Sequence, residues 1–405
     1  MGGISNPERR LRRFAEAPIE VAFKRLAPVS PWEVVLRFEK RFGVEPRLFR
    51  APGRVNIIGD HTDYSGGLAM PAAIDRATLA AATLNESRRL NVVGGSIGQQ
   101  VSLDLGCLTP RHDWSDYVAG VAWVMQLEGV ELSGADLWIE SDVPIGAGLS
   151  SSAALEVSAA TALLSLSGTS LDGATIALWC QRAENEFVGV PCGILDQYAS
   201  TNAEDGAALL LDCRSVASEP VPFPERGRFL VVDSMVTHAH VSGEYRRRRE
   251  ECETAAARLE APMLRDVEVS DLPGALARLP EPLARRCRHV VTENARVVSA
   301  VQALRRGDLA ELGRLMNQSH ASLRDDFDVS TREVEELVTI AREAPGVFGA
   351  RIMGGGFGGS IVALASADGA EQAVSTIQLA YGRKRGRSPD AFVCRAAAGA
   401  TEVKL

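Results

Sequence analysis

Residues 50–71, RAPGRVNIIGDHTDYSGGLAMP, constrain this chain more than any other stretch. Arg54 precedes the apolar pair Ile57–Ile58. The chain then turns at Gly59 and presents Asp60, His61, Asp63 and Tyr64 together, ahead of Gly66 and Gly67. Carboxylates accept from vicinal hydroxyls, imidazole both accepts and donates, and glycine lets the backbone come close to a ligand. The cluster therefore suits a small polyhydroxy molecule. A polar surface turn after a strand is the plain alternative at this stage.

The 405 residues are enough for one large or two medium domains, and 46% apolar with 24% charged residues is an ordinary globular balance. A formal charge of −8 argues against a general nucleic-acid or anionic-membrane surface, but not against one local nucleotide site. Seven cysteines, at 107, 180, 192, 213, 252, 287 and 394, form no C-x-x-C pair and read as reduced thiols rather than a disulfide frame or zinc site. MGGISNPERRLRR has no apolar core of a signal peptide, and Asn6 breaks the myristoylation pattern. No apolar run approaches bilayer length. The expected compartment is the cytoplasm.

Residues 1–30 carry Pro7, Pro18 and Pro28 and read as an extension or a peripheral helix. An amphipathic helix is expected over 31–42, strands over 78–84, 90–94 and 136–141, and helices over 117–128, 153–166 and 171–188. A Pro-containing link at 206–224 suggests a domain boundary. Beyond it the pattern predicts a strand at 228–233, helices at 243–259, 294–305, 309–324 and 331–344, a strand at 360–365, a helix at 369–381 and a strand at 390–395. Strands and helices alternate without repeats, which places the chain in the α/β or α+β class.

Residues 142–154, DVPIGAGLSSSAA, form a second constellation. Gly146 and Gly148 permit a tight loop, and Ser150, Ser151 and Ser152 lead into an Ala-rich helix with Ser150 as a candidate N-cap. Free N–H groups and the positive end of the helix dipole meet there, which makes an anion site. The loop is neither a Walker A sequence nor the dinucleotide fingerprint, since Ser151 stands where the third glycine belongs. A simple helix cap is the alternative.

Taken in order, these segments together with CGILDQ at 192–197 and RIMGGGFGGS at 351–360 resemble a known signature set. GRVN-[IL]-IG-[ED]-HTDY-x-GG-x-x-x-P is the galactokinase signature of the GHMP kinase superfamily. P-x-G-x-GLSSSA, CG-[IL]-[ML]-DQ and R-M-T-G-A-G-F-G-G-C are its further motifs. The likeness runs from about Val34 to about residue 398. It implies an α+β, two-domain GHMP kinase fold with the active site in the interdomain cleft. The domains would be 31–212, binding sugar and ATP phosphates, and 213–405, whose tail could return to the first domain.

The resemblance also implies roles. Gly146, Gly148, Leu149, Ser150, Ser151, Ser152 and Ala153 would bind the ATP phosphates. Ser152, or Ser151 as second choice, and Glu184 would hold Mg²⁺, a hard cation that takes oxygen ligands. Without the family context Glu184 reads as an exposed helix carboxylate. Asp196 and Arg54 would form the catalytic pair. Asp196 takes the proton of the anomeric hydroxyl or simply orients it, and Arg54 stabilises charge on the transferring phosphoryl group. An N-cap or a buried salt bridge is the structural alternative for Asp196.

Asp60, His61, Asp63, Gly193 and Tyr245 would bind galactose, with Asp63 at the 3- and 4-hydroxyls. Position 60 departs from the usual Glu. Asp is shorter by about 1.5 Å, which could relax recognition at the sugar's carbon 6. In the glycine-rich motif Ile352, Met353, Gly355 and Ser360 replace the usual Met, Thr, Ala and Cys, and no glycine is lost. A plain glycine-rich turn is the alternative there. SHASLRDDF, 319–327, gets no role beyond shaping the cleft. The run Arg246–Arg249 reads as a solvated helical face paired with Glu250, Glu251 and Glu253.

The implied activity is ATP-dependent phosphorylation of galactose at the anomeric hydroxyl, giving galactose 1-phosphate and ADP, by a monomer without nucleic-acid or membrane partners. Two rivals stand beside it. One is a GHMP kinase for a sugar altered at carbon 6. The other is a non-catalytic sugar sensor on the same fold, which the presence of Ser150, Ser151, Ser152, Ala153, Arg54 and Asp196 disfavours.

Overall fold

The computed structural model describes residues 28–236 and 241–405. The expected extension over 1–30 lies outside them except for its last three residues. Pro31 starts helix α1 (Pro31–Phe42), and Gly43, with φ 78°, ends it. β1 (Arg47–Ile58) and β2 (Leu68–Leu84) are antiparallel partners on either side of the polar turn. β3 (Arg89–Gly94), β4 (Gln99–Asp104), helix α2 (Asp116–Leu127) and β5 (Ala135–Ser141) follow. Next come the helices α3 (Ser151–Ser167), α4 (Gly173–Arg182) and α5 (Leu195–Asn202), and the hairpin β6 (Ala207–Asp212) and β7 (Ala217–Pro222).

The second half opens with β8 (Gly227–Asp233). The helices α6 (Val241–Leu259), α7 (Leu272–Arg278), α8 (Leu283–Arg305), α9 (Leu309–Asp325) and α10 (Arg332–Glu343) follow. It closes with β9 (Val347–Ile352), β10 (Ser360–Ser366), α11 (Ala370–Arg385), β11 (Ala391–Cys394) and β12 (Thr401–Val403). The first sheet has the order β12-β1-β2-β5-β3-β4 with β6 and β7 attached to β2, and the second is β11-β8-β10-β9. Among the described residues only β3–β5 is a parallel pair, so the class is α+β rather than a parallel α/β wind.

β1 is buried almost throughout because both faces of its sheet are covered. Phe49 and Ala51 pack with α2 and α3, Leu48 packs with Val34 and Phe38 of α1, and Val55, Ile57 and Ile58 pack with Val297 and Val301 of α8. The last cluster also holds Val362 and Leu364 of β10, so one apolar core joins the two halves.

Three expectations shift. The first sheet extends past 212, because Asp212 turns the chain by accepting from the N–H groups of Arg214 and Ser215 and β7 returns along β6; β12 also pairs with β1. The helix expected over 171–188 changes at Ala183 into a π-helical turn, Ala183–Val188. The helix expected from 294 begins at Leu283.

α9 lies on β9 through two glycines. A Cβ on Gly313 would stand 2.4 Å from the backbone of Phe348, and one on Gly349 would stand 2.1 Å from the Gly313 carbonyl oxygen. Gly313→Ala must push helix from strand, and its expected cost is about 1–3 kcal/mol. A lowered midpoint of thermal unfolding checks this; an unchanged midpoint contradicts the contact.

Candidate active site

β1 delivers the centre of the site. Arg54, 6% exposed, sits on β1 opposite Ala73. Its N–H donates to the Leu149 carbonyl at 3.1 Å and its Nη1 to the Gly148 carbonyl at 2.5 Å, which holds the Gly/Ser loop against the strand. Nε and Nη2 of the same guanidinium donate to Asp196 Oδ1 at 2.9 and 2.5 Å. Asp196 stands in the first turn of α5, with its side chain 31% exposed. Both contacts fall on Oδ1, so Oδ2 remains to accept from a ligand. Arg54 thus ties Asp196 to the Gly/Ser loop.

Arg54, Asp60, His61, Asp63, Gly193, Asp196 and Tyr245 all line one cavity of about 400 Å³, together with Gly354 and Gly355. His61 is held in the left-handed region, φ 60°, a conformation that persists only where surroundings impose it. Its Nδ1 is 2.9 Å from the Tyr64 hydroxyl, and its ring centre lies 5.5 Å from Tyr245 and 4.8 Å from Phe327. Nε2 is buried without a partner. Burial, then the charges of the His289 and Arg248 side chains, push the imidazole pKa down to about 3, so the ring is neutral. Burial pushes the Asp63 carboxyl up to about 6, against the opposing N–H of Tyr64. A Cβ on Gly193 would stand 1.7 Å from Asp63 Oδ2. Only glycine allows that backbone to lie against the carboxylate.

Asp60 lines the cavity, but both its oxygens have protein partners. Oδ2 pairs with Arg351 Nη2, and Oδ1 accepts from Asn56 Nδ2. Arg351 also donates to the Asn56 carbonyl at 2.9 Å and is 0% exposed. A cation buried to that degree needs a counter-charge, and Asp60 supplies it. The expectation that position 60 chiefly faces carbon 6 of a sugar misses this pairing. The glycine-rich motif therefore contributes a side chain as well as backbone.

The Gly/Ser loop packs against the glycine-rich turn after β9: a Cβ on Gly354 would stand 3.3 Å from Gly148 Cα. Leu149 and Ala153 are core residues, Gly146 is exposed, and Ser151 and Ser152 are half-buried. Ser150 does not cap α3 as expected. It is left-handed, φ 59°, makes no side-chain cap bond, and its buried Oγ has no partner. The first turn of α3 is thus left uncapped by any side chain, which suits an anion.

Glu184 is no exposed helix carboxylate. It is 5% exposed in the π-helical turn, where Gln197 Nε2 donates to it at 2.7 Å and Cys192 Sγ lies 3.4 Å away. Burial, then the Asp196 charge, raise its pKa to about 7; hydrogen bonds from Cys192, Ser152 and Gln197 oppose the shift. Gln197 donates also to Glu156 at 3.0 Å. Glu156, 0% exposed, is a residue the sequence reading missed, although a Glu inside the apolar run AALEVSAATALL was a signal. Among the described residues no group of three or more His, Cys, Asp or Glu side chains could hold a metal. A serine hydroxyl beside one carboxylate does fit Mg²⁺, which binds through one or two carboxylates plus substrate phosphates.

One charged residue is corrected outright. Arg247–Glu251 and Arg249–Glu253 are surface pairs at 3.1 and 2.9 Å. Arg248 is instead 3% exposed and donates to the carbonyls of Phe327 and Asp328 at 2.7 and 3.0 Å. It ties α6, which carries Tyr245, to the end of α9.

Two models of the GHMP kinase N-terminal and C-terminal domains match residues 116–204 and 300–383. The structure superposes on the mevalonate kinase of Methanococcus jannaschii with a TM-score of 0.61 at 17% identity, over 87% of this chain and 99% of that one. The fold is that of the GHMP kinases. A galactokinase galactose-binding signature matches residues 36–84. The galactokinase of Chloroflexus aurantiacus is 45% identical over 90% of this chain and 96% of its own, and that of Streptomyces coelicolor 44% over 91% and 97%. Lactococcus lactis galactokinase complexed with galactose superposes with a TM-score of 0.87 at 30% identity, over 92% of this chain and 99% of that one. The chain belongs to the galactokinase family. No helix among the described residues is long and apolar enough to cross a membrane.

Proposed function

We infer that this chain transfers the γ-phosphoryl group of ATP to the anomeric hydroxyl of galactose, giving galactose 1-phosphate and ADP, with Asp196 and Arg54 as the reacting pair. The observation that carries the assignment is the Arg54 guanidinium, bonded at once to Asp196 and to the Gly148 carbonyl of the loop that would hold the phosphates. Asp196 Oδ2 accepts the proton of the anomeric hydroxyl as that oxygen bonds to the γ-phosphorus and ADP leaves. Arg54 stabilises negative charge on the transferring group. Residues 146–153 would hold the phosphates at the uncapped start of α3. Ser152 and Glu184 would hold Mg²⁺, which when bound neutralises charge on the phosphates.

Galactose would lie against the His61 and Tyr245 rings, with Asp63 accepting from the 3- and 4-hydroxyls. Asp60 acts on the sugar mainly by fixing the turn through Arg351. The galactose-binding signature spans this segment, which favours galactose over a carbon-6 variant, and the Arg54–Asp196 pair favours an enzyme over a sensor. The cavity is complete within one chain, in keeping with a monomer. All seven cysteines are free thiols, in keeping with the cytoplasm. Phosphorus NMR of the product checks the position of transfer. Coupling of phosphorus to the anomeric proton is expected, and coupling to the carbon-6 protons would refute it.

Asp63 gives a pH dependence. With its carboxyl near 6 in the free protein, it is ionised above that pH and loses an acceptor as the pH falls below it. Galactose binding, measured without ATP, should therefore weaken as the pH drops through about 6. A galactose profile flat across that range would contradict the assignment.

A further inference from the structure

Three side chains of α8 reach from the second half of the chain and bind the backbone of the turn that carries Asp60, His61 and Asp63. His289 Nε2 lies 3.0 Å from the Asp60 carbonyl oxygen. A carbonyl can only accept, so the ring proton sits on Nε2. Glu293 Oε1 accepts from the Gly59 N–H at 2.9 Å, and Asn294 Oδ1 accepts from the Leu68 N–H at 2.8 Å. Positions 289 and 293 lie one turn apart on one helix face, and Asn294 follows directly after. Together they hold the entry and the exit of the turn.

The holders are themselves held. His289 Nδ1 is 3.0 Å from Ser322 Oγ, and Glu293 accepts from Ser319 Oγ at 2.6 Å and from Arg296 Nε at 2.7 Å. His289 and Glu293 are 0% exposed. Phe327 sits against both imidazoles, 4.8 Å from His61 and 4.5 Å from His289. Burial pushes the His289 pKa down to about 4. Burial also opposes ionisation of Glu293, yet Arg296 and His289 hold its carboxyl at about 2. One ring stays neutral and one carboxylate charged, so the grip is constant across neutral pH.

None of the three side chains lines the cavity. Adhesion between the two halves does not explain them, because Val55, Ile57, Val297 and Val301 already supply an apolar seam there. Uncapping the turn would free the segment on which Asp63 and His61 stand.

We propose that His289, Glu293 and Asn294 are positioning residues that set the affinity for galactose by fixing both ends of the 59–68 turn. This rests on the galactose-kinase reading above. Asn294→Ala leaves the Leu68 N–H without its acceptor. The KM for galactose is expected to rise about tenfold, the size of one lost hydrogen bond, with the KM for ATP unchanged. Asn294→Asp keeps an acceptor oxygen and should restore most of the galactose affinity. A purely structural role would move both KM values together.

His289→Phe, which keeps the ring packing on Phe327 and deletes the donor, gives a second reading with the same expected split should Asn294→Ala not fold. Equal changes in both KM values, no change in either, or failure of Asn294→Asp to rescue would overturn the proposal. Wild-type turnover in the same assay separates the two claims. An inactive wild type removes the kinase reading, and an active one insensitive to Asn294→Ala removes only the positioning role.

Discussion

Asp196→Asn is expected to lower kcat with galactose by about three orders of magnitude, within the usual range for a positioned proton acceptor. Asparagine keeps the shape and can still present an oxygen to Arg54 Nε and Nη2. It then offers an amide N–H where the anomeric hydroxyl needs an acceptor. Arg54 retains the Gly148 carbonyl at 2.5 Å, so the Gly/Ser loop should keep its place. The Arg54 side chain is only 7% exposed, so removing its counter-charge is expected to cost stability as well, about 1–3 kcal/mol. A folded variant with normal ATP binding and near-zero turnover is the expected result. Turnover within tenfold of wild type would remove Asp196 from the proton path.

Gly193→Ala is expected to raise the KM for galactose by about a hundredfold, because two hydrogen bonds to a charged acceptor are at stake at ~1.5 kcal/mol or more each. The new Cβ would fall 1.7 Å from Asp63 Oδ2 and 2.5 Å from its Cγ. The three nearest atoms all belong to the Asp63 side chain, so the relief is a rotation of that side chain. That rotation costs little stability and carries the carboxylate off its place in the cavity. The signature is a split, with sugar affinity lost and the unfolding midpoint kept. If galactose binding survives, Asp63 does not read the sugar from where it stands.

The residues that line the cavity were legible because their chemistry is concentrated in short motifs. GRVN, HTDY and CGILDQ each place several functional groups within a few positions, and the fold brings them to one cavity. What lay hidden is long-range. Arg351 and Asp60 are far apart in sequence and meet only when β9 packs beneath the turn. Glu156, Glu184 and Gln197 are likewise joined only by the packing of α3, the π-helical turn and α5.

Other misses have local causes. The first half of α8, LARRCRHVVTEN, is dense in charge, yet Arg286, His289 and Glu293 face inward at 2%, 0% and 0% exposure. Buried charge with partners mimics a solvated face in any hydropathy pattern, and Arg248 was misread for the same reason. β1 gave no alternation because it is covered on both faces. The left-handed Ser150 could not be foreseen, since nothing in SSSAA distinguishes a capping serine from one whose backbone turns the other way.

The central claim is that this cavity takes galactose and phosphorylates it. The direct measurement is ADP release from ATP with Mg²⁺ across galactose, glucose, N-acetylgalactosamine, fucose, arabinose and galacturonate. Turnover with galactose far above its 4-epimer glucose and above every carbon-6 variant is the predicted result. Preference for a sugar altered at carbon 6, or ATP binding with no turnover of any sugar, would contradict it.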